Sequence, residues 1–250
     1  MAGANAVTVG VVRLGAVLLM TAIVLVGRAE RAAADEPTDE PARLTYVEAD
    51  QFEYRASDGK DAFGWEAQGW VGGDYDKVWV KTRGEDIVNG GATRAELQLL
   101  YSRTITAFWD LQAGARYDVK PNPSRSYAVV GVQGLAPYFF EVDAAGFVSD
   151  EGDVSARLEV EYELLITQRL IAKPSAELDV AVQDVEELGI GSGVSEIELG
   201  LRIRYEIVRE LAPYLGVSWR RKVGSTADLA RQQGEQVGGV NWVGGVRWWF

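Results

Sequence analysis

Between Glu196 and Ile207 the chain alternates without a fault. Glu196, Glu198, Gly200, Arg202, Arg204 and Glu206 hold one parity, and Ile197, Leu199, Leu201, Ile203, Tyr205 and Ile207 hold the other. A helix would scatter these residues around its circumference, whereas a strand sorts them completely onto two faces. The segment from Arg157 repeats the pattern, with Arg157, Glu159, Glu161 and Glu163 against Leu158, Val160, Tyr162 and Leu164. Such strands suit two architectures. In a soluble sandwich the charged face is solvated and the apolar face buried; in a membrane barrel the sides are reversed. Periodicity does not choose between them, but the two ends of the chain do.

The C-terminal stretch Val240 to Phe250 is rich in strand formers, lacks proline and closes on Trp248-Trp249-Phe250. It reads as a strand with interface aromatics at its foot. At the other end Arg13 precedes the apolar run Leu14 to Gly27, and Ala32-Ala33-Ala34 offers the small residues of a signal-peptidase site. The expected division is a signal peptide over 1–34, a short periplasmic tail over 35–43 and a barrel over 44–250. The apolar run is short for a membrane span, so an uncleaved anchor is the alternative. No other long apolar run follows. An exported chain that crosses a membrane without a helix must do so as a closed barrel, which predicts the bacterial outer membrane and contact with its lipid.

Charge and composition narrow the function. The first 34 residues carry Arg13, Arg28 and Arg31 against Glu30, so the remainder keeps 22 of the 25 basic and 36 of the 37 acidic side chains. That acid excess argues against nucleic acid as a partner. With no cysteine there are no disulfides, and closure of the sheet must supply the stability. With no histidine, the usual general base of barrel hydrolases is missing and no catalytic motif replaces it, so no enzyme is expected. The glycine cluster Gly189 to Gly193 lacks the lysine and the strand-loop-helix setting of a phosphate loop and reads as an extracellular loop.

Strand-like segments fall near 46–55, 62–71, 76–83, 93–102, 106–119, 126–135, 138–148, 154–166, 169–182, 194–208, 212–222 and 238–250. The predicted fold is an all-β, transmembrane, antiparallel up-and-down barrel of about twelve strands, with ten as the competing count if the first two lie outside the wall. Short connections alternate with longer polar ones at 57–61, 84–91, 120–125, 149–153, 183–193 and 224–236, as expected for periplasmic turns and extracellular loops. Pro174 is awkward inside a paired strand.

The charged faces converge on the lumen. Glu96, Asp110, Arg116, Asp118, Arg157, Glu177, Arg202, Arg204 and Glu206 are the expected lumen network, since acids and bases confined in a narrow barrel must pair. Glu141, Asp143, Glu159 and Glu161 are the candidates to remain available to a cation or to line its path.

Several runs in order also resemble one family. They are Glu96-Leu97-Gln98-Leu99-Leu100-Tyr101-Ser102-Arg103, Asp110 to Asp118, Gly134-Leu135-Ala136-Pro137-Tyr138-Phe139-Phe140-Glu141-Val142-Asp143, Gly189 to Gly193, Gly200 to Ile207, Ala212-Pro213-Tyr214 and Gly245-Val246-Arg247-Trp248-Trp249-Phe250. Over roughly residues 44–250 the chain is similar to the copper resistance protein B family. The resemblance implies an outer-membrane barrel of the copper tolerance or copper homeostasis system, acting with periplasmic copper proteins such as a multicopper oxidase. Members of the family often carry a segment rich in methionine and histidine before the barrel. Here that position holds only the acidic stretch Asp35 to Ala42, and both methionines, Met1 and Met20, fall in the signal. Copper prefers thiolate, thioether or imidazole, so carboxylates, backbone and water would be its ligands and intrinsic binding is expected to be weak. A conduit or docking role for copper is the first reading; a small general channel or structural barrel without a metal role is the alternative.

Overall fold

A computed structural model of the chain describes residues 43–57, 59–88 and 90–250. The signal peptide and the acidic stretch at 35–42 lie outside these residues. The described chain consists of strands β1 (Leu44–Ser57), β2 (Ala62–Gly72), β3 (Asp76–Ile87), β4 (Gly91–Thr106), β5 (Trp109–Lys120), β6 (Arg125–Ala136), β7 (Phe140–Ser149), β8 (Val154–Glu161), β9 (Leu164–Leu165), β10 (Leu170–Ala181), β11 (Gly193–Tyr205), β12 (Leu211–Lys222) and β13 (Gly238–Trp249), with one short helix, α1 (Gly224–Gln232). Each strand pairs antiparallel with its neighbours, and β1 pairs with β13, so the sheet closes on itself. β8 and β9 both pair with β10 and form one interrupted stave, giving a closed cylinder of twelve. The ten-strand count is thereby excluded, because β1 and β2 are paired staves of the wall.

The alternation of the sequence is the alternation of the wall. Leu97, Leu99 and Tyr101 on β4 and Leu199, Leu201, Ile203 and Tyr205 on β11 are exposed on the outer surface, while Glu96, Gln98, Arg202 and Arg204 are buried inside. Exposed apolar residues recur on nearly every stave, which is the surface a lipid bilayer covers. Among the described residues no helix is long and apolar enough to cross a membrane. Part of the inner face of β3 to β7 is filled by Trp79, Leu100, Val129 and Phe147, with the Arg116 guanidinium 4.7 Å from the Phe147 ring centre.

Three local features depart from the sequence expectation. The stave expected as 154–166 breaks at Tyr162 and Glu163, opposite Pro174. The Tyr162 amide donates to the Pro174 carbonyl at 3.1 Å, but proline has no N–H to return, so the ladder is lost on the side facing β8. The connection expected over 84–91 is mostly strand, since β3 runs to Ile87 and β4 starts at Gly91. The connection expected over 224–236 contains α1, which buries Thr226, Ala227 and Ala230. Thr226 Oγ1 accepts the Gly191 amide at 2.9 Å, fastening the helix to the connection between β10 and β11. Across the same end, Arg125 joins Asp153, Glu151 and Glu187 from two neighbouring connections.

Candidate functional site

The lumen is crossed by ion pairs between staves far apart around the barrel. Arg83 on β3 donates to Glu177 on β10 at 2.5 Å, and by strand order these staves are diametrically opposite. The same guanidinium reaches Glu66 on β2 at 2.7 Å and Glu159 on β8 at 2.8 Å. Beside it, Glu96 is held by Arg157 and by Arg116, each at 3.0 Å, and Arg116 also binds Asp118 at 2.7 Å. A second knot surrounds Glu53, whose side chain is 0% exposed: Arg202, Arg55 and the Tyr214 hydroxyl all donate to it at about 2.9 Å. Together these groups form a waist of paired charges across the lumen. Charge buried this way persists only when each carboxylate has partners, because an unpaired buried charge is costly.

On the side of the waist that holds the start of β1, the end of β13 and the shorter turns lies a cavity of about 470 Å³. In an outer-membrane barrel this is the periplasmic end. Nine carboxyl side chains contribute to its lining against five basic ones, Lys81, Arg83, Arg157, Lys173 and Arg247, an excess of four acidic residues. Strand register explains part of that excess through Asp143, Glu159, Glu141 and Glu161, and Glu177 and Glu198 continue the row beyond the cavity lining. Asp143, Glu159, Glu177 and Glu198 stand directly opposite one another on successive staves β7, β8, β10 and β11, and Glu141 stands opposite Glu161. Like charges in directly opposed positions destabilise a sheet, so the acid row is held by bases reaching over from elsewhere. Lys81 takes Asp143 at 2.6 Å, and Lys173 takes Glu161 at 2.8 Å and Asp50 at 2.9 Å.

All nine residues of the expected network face the lumen side. Beyond those at the waist, Asp110 pairs with Lys77 at 2.9 Å, Arg204 with Glu163 at 2.7 Å, and Glu206 lies 3.8 Å from Arg204. The four candidate cation residues do converge on the one cavity. Asp143, Glu159 and Glu161 are each in an ion pair, whereas Glu141 has none among the described residues. Among those residues no three carboxylates converge with a geometry ready to hold a metal ion. The sequence reading missed the basic partners on β3, Lys77, Lys81 and Arg83, although the alternation Lys77-Val78-Trp79-Val80-Lys81 would have placed them on one face. It also missed Glu48, Asp50, Glu53 and Arg55 on β1, where the register shifts between Ala49 and Gln51.

A closed twelve-stave cylinder with an apolar outer face and a charged lumen defines an outer-membrane β-barrel protein. Comparison with solved structures agrees: a NanC porin superposes with a TM-score of 0.53 over 82% of this chain and 99% of that one, at 13% identity, a likeness of fold alone. The model of the family described as copper resistance protein B precursor (CopB) matches residues 43–250. Copper resistance protein B of Escherichia coli is 47% identical over 201 residues, covering 80% of this chain and 68% of the relative. A copper resistance protein B homolog of Pseudomonas syringae pv. tomato is 41% identical over 206 residues, covering 82% and 70%. The chain belongs to the copper resistance protein B family, and its place is the outer membrane.

Proposed function

We propose that the barrel is a non-enzymatic conduit of the copper tolerance system, with the acidic cavity as a vestibule that gathers copper ions at the periplasmic end and binds them weakly. The observation that carries this reading is the cavity lining, nine carboxyl side chains against five basic ones, in which Asp143 stands opposite Glu159 and Glu141 opposite Glu161. A barrel that needed only a filled lumen would alternate acids with bases in such opposed positions. An excess of four acidic over basic residues in a confined cavity favours cations. Oxygen ligands alone favour hard cations over copper, which keeps binding weak and passage reversible. A periplasmic multicopper oxidase, suggested by the family, would supply the softer ligands at the mouth.

The waist supports a second reading, a structural barrel without a metal role, because Arg83 ties opposite walls together. Two measurements separate the readings. A deletion strain should become copper-sensitive and be rescued by the wild-type gene but not by Glu141→Gln combined with Asp143→Asn, Glu159→Gln and Glu161→Gln. Calorimetry on the refolded barrel should find copper binding no tighter than that of Zn(II) by more than about tenfold. Full rescue by the neutralised variant would sink the conduit, and a submicromolar copper-selective site would sink weak binding.

A further inference from the structure

At the periplasmic mouth, below the vestibule, lies a second cavity of about 450 Å³ with opposite chemistry. Arg204, Arg209 and Arg247 line it against Glu163 and Glu206, with Trp249 at its edge. The three guanidinium groups are not equally committed. Arg247 is held by Glu48 at 2.5 Å. Arg209 is exposed and forms no ion pair among the described residues, while its carbonyl accepts the Trp249 indole N–H at 2.8 Å and so fixes its backbone at the rim. The Arg204 side chain is only 5% exposed, and Glu163 takes its Nη2 alone, at 2.7 Å. Its Nε and Nη1 are buried without any acceptor.

A guanidinium presents two edges, Nε with Nη2 and Nη1 with Nη2, each matched to the two oxygens of a carboxylate. With Glu163 bound through Nη2 only, each edge of Arg204 keeps one unused donor. We propose that the mouth is a carboxylate-binding site. The incoming carboxylate docks on one edge of Arg204, sharing or replacing Glu163 at Nη2, and Arg209 provides the second positive charge. The covered position of the donors means that the Glu163 contact adjusts as the ligand enters. The inference is independent of copper passage.

A carboxylate can reach this site from two sources. One is a small free dicarboxylate. The other is the chain itself, since Asp35, Glu36, Asp39 and Glu40 precede Arg43, next to the start of β1, whose Tyr46 lines the same cavity. The eight residues from Asp35 to Ala42 span at most about 26–29 Å.

The test is calorimetric titration of succinate into the barrel purified in detergent at low salt. The unmodified barrel is compared with Arg204→Gln, Arg209→Gln and a variant neutralised by Asp35→Asn, Glu36→Gln, Asp39→Asn and Glu40→Gln. If the ligand is a free carboxylate, the unmodified and neutralised barrels bind succinate alike, and Arg209→Gln weakens binding about tenfold. If the chain supplies it, the neutralised barrel binds succinate at least about tenfold more tightly than the unmodified one, and the gain disappears when Arg209→Gln is added. Arg204→Gln should abolish binding in either case, and Arg209→Gln, at an exposed and unpaired side chain, reports even if Arg204→Gln fails to fold. Absence of succinate binding in both barrels, or binding indifferent to Arg209→Gln, overturns the proposal.

Discussion

Replacing Arg83 by methionine keeps an unbranched apolar stem and removes the guanidinium that ties opposite staves together. The Arg83 side chain is 15% exposed and binds Glu66, Glu159 and Glu177 at 2.7, 2.8 and 2.5 Å. Adding three charge-assisted hydrogen bonds at about 1.5–3 kcal/mol each would overstate the loss, because two of the carboxylates keep other donors. Glu66 accepts from Gln51 at 3.1 Å, and Glu177 lies 3.4 Å from Arg157. Only Glu159 is left without another ion-pair or hydrogen-bond partner among the described residues, so the cost is that of one broken buried pair, about 3–5 kcal/mol. Urea unfolding of the barrel reconstituted in lipid vesicles should show that loss as a lower midpoint with unchanged slope. Adding Glu159→Gln removes the stranded charge and should recover more than half of it. In planar bilayers Arg83→Met should raise conductance and shift selectivity further toward cations, since the vestibule keeps its acids and loses a base. A midpoint displaced by less than about 0.5 kcal/mol, with conductance unchanged, would refute the argument that Arg83 braces and narrows the waist.

Three further outcomes follow from local geometry. Pro174→Ala restores a donor opposite Tyr162 and should slow hydrogen exchange across residues 158–166 while changing stability by no more than about 1 kcal/mol; unchanged exchange would detach the break from the proline. Gly191→Ala would place a methyl group 2.3 Å from Ser225 Cβ and 2.5 Å from the Thr226 amide, so α1 should shift from its seat and become more sensitive to protease, at a cost of about 1–3 kcal/mol. The Ser192 amide donates to Asp184 at 2.6 Å and holds that carboxyl below its ordinary value. That tie is therefore present above the unfolded carboxylate range and lost as pH falls below about 4, so protection of the Ser192 amide, taken relative to its intrinsic exchange rate, should fall on acidification in the wild type and stay constant in Asp184→Asn.

The wall of this barrel was legible because lipid and lumen impose opposite polarities on successive residues, and β11 carries that contrast without interruption from Glu196 to Tyr205. β1 was legible as a strand but not as part of the site, since the register shift after Ala49 brings Glu48, Asp50, Gln51 and Glu53 to the lumen out of simple parity. On β3 the inward Trp79 sits between Lys77 and Lys81, which blurs the distinction between an apolar and a charged face. Pro174 marked the right place, and the consequence fell on the neighbouring stave, a pairing that one segment does not disclose. Partner choice was beyond reach for a similar reason: Arg83 and Glu177 are 94 residues apart and meet only because the sheet closes. The helix α1 was hidden in a polar stretch, with Ala227 and Ala230 as its only apolar stripe.

Closure itself bears on how the molecule is made. Val47 exchanges both backbone hydrogen bonds with Phe250, at 2.9 and 2.8 Å, so the seam joins the first stave to the final residue. Until that residue arrives, β1 keeps an open edge able to recruit any other strand, and loop-closure entropy for a separation of roughly two hundred residues must be met before the pairing gives anything back. Assembly of this chain is therefore a race between self-closure and association with other chains. The bilayer and whatever escorts the unfolded chain to it govern yield as strongly as the stability of the finished cylinder does.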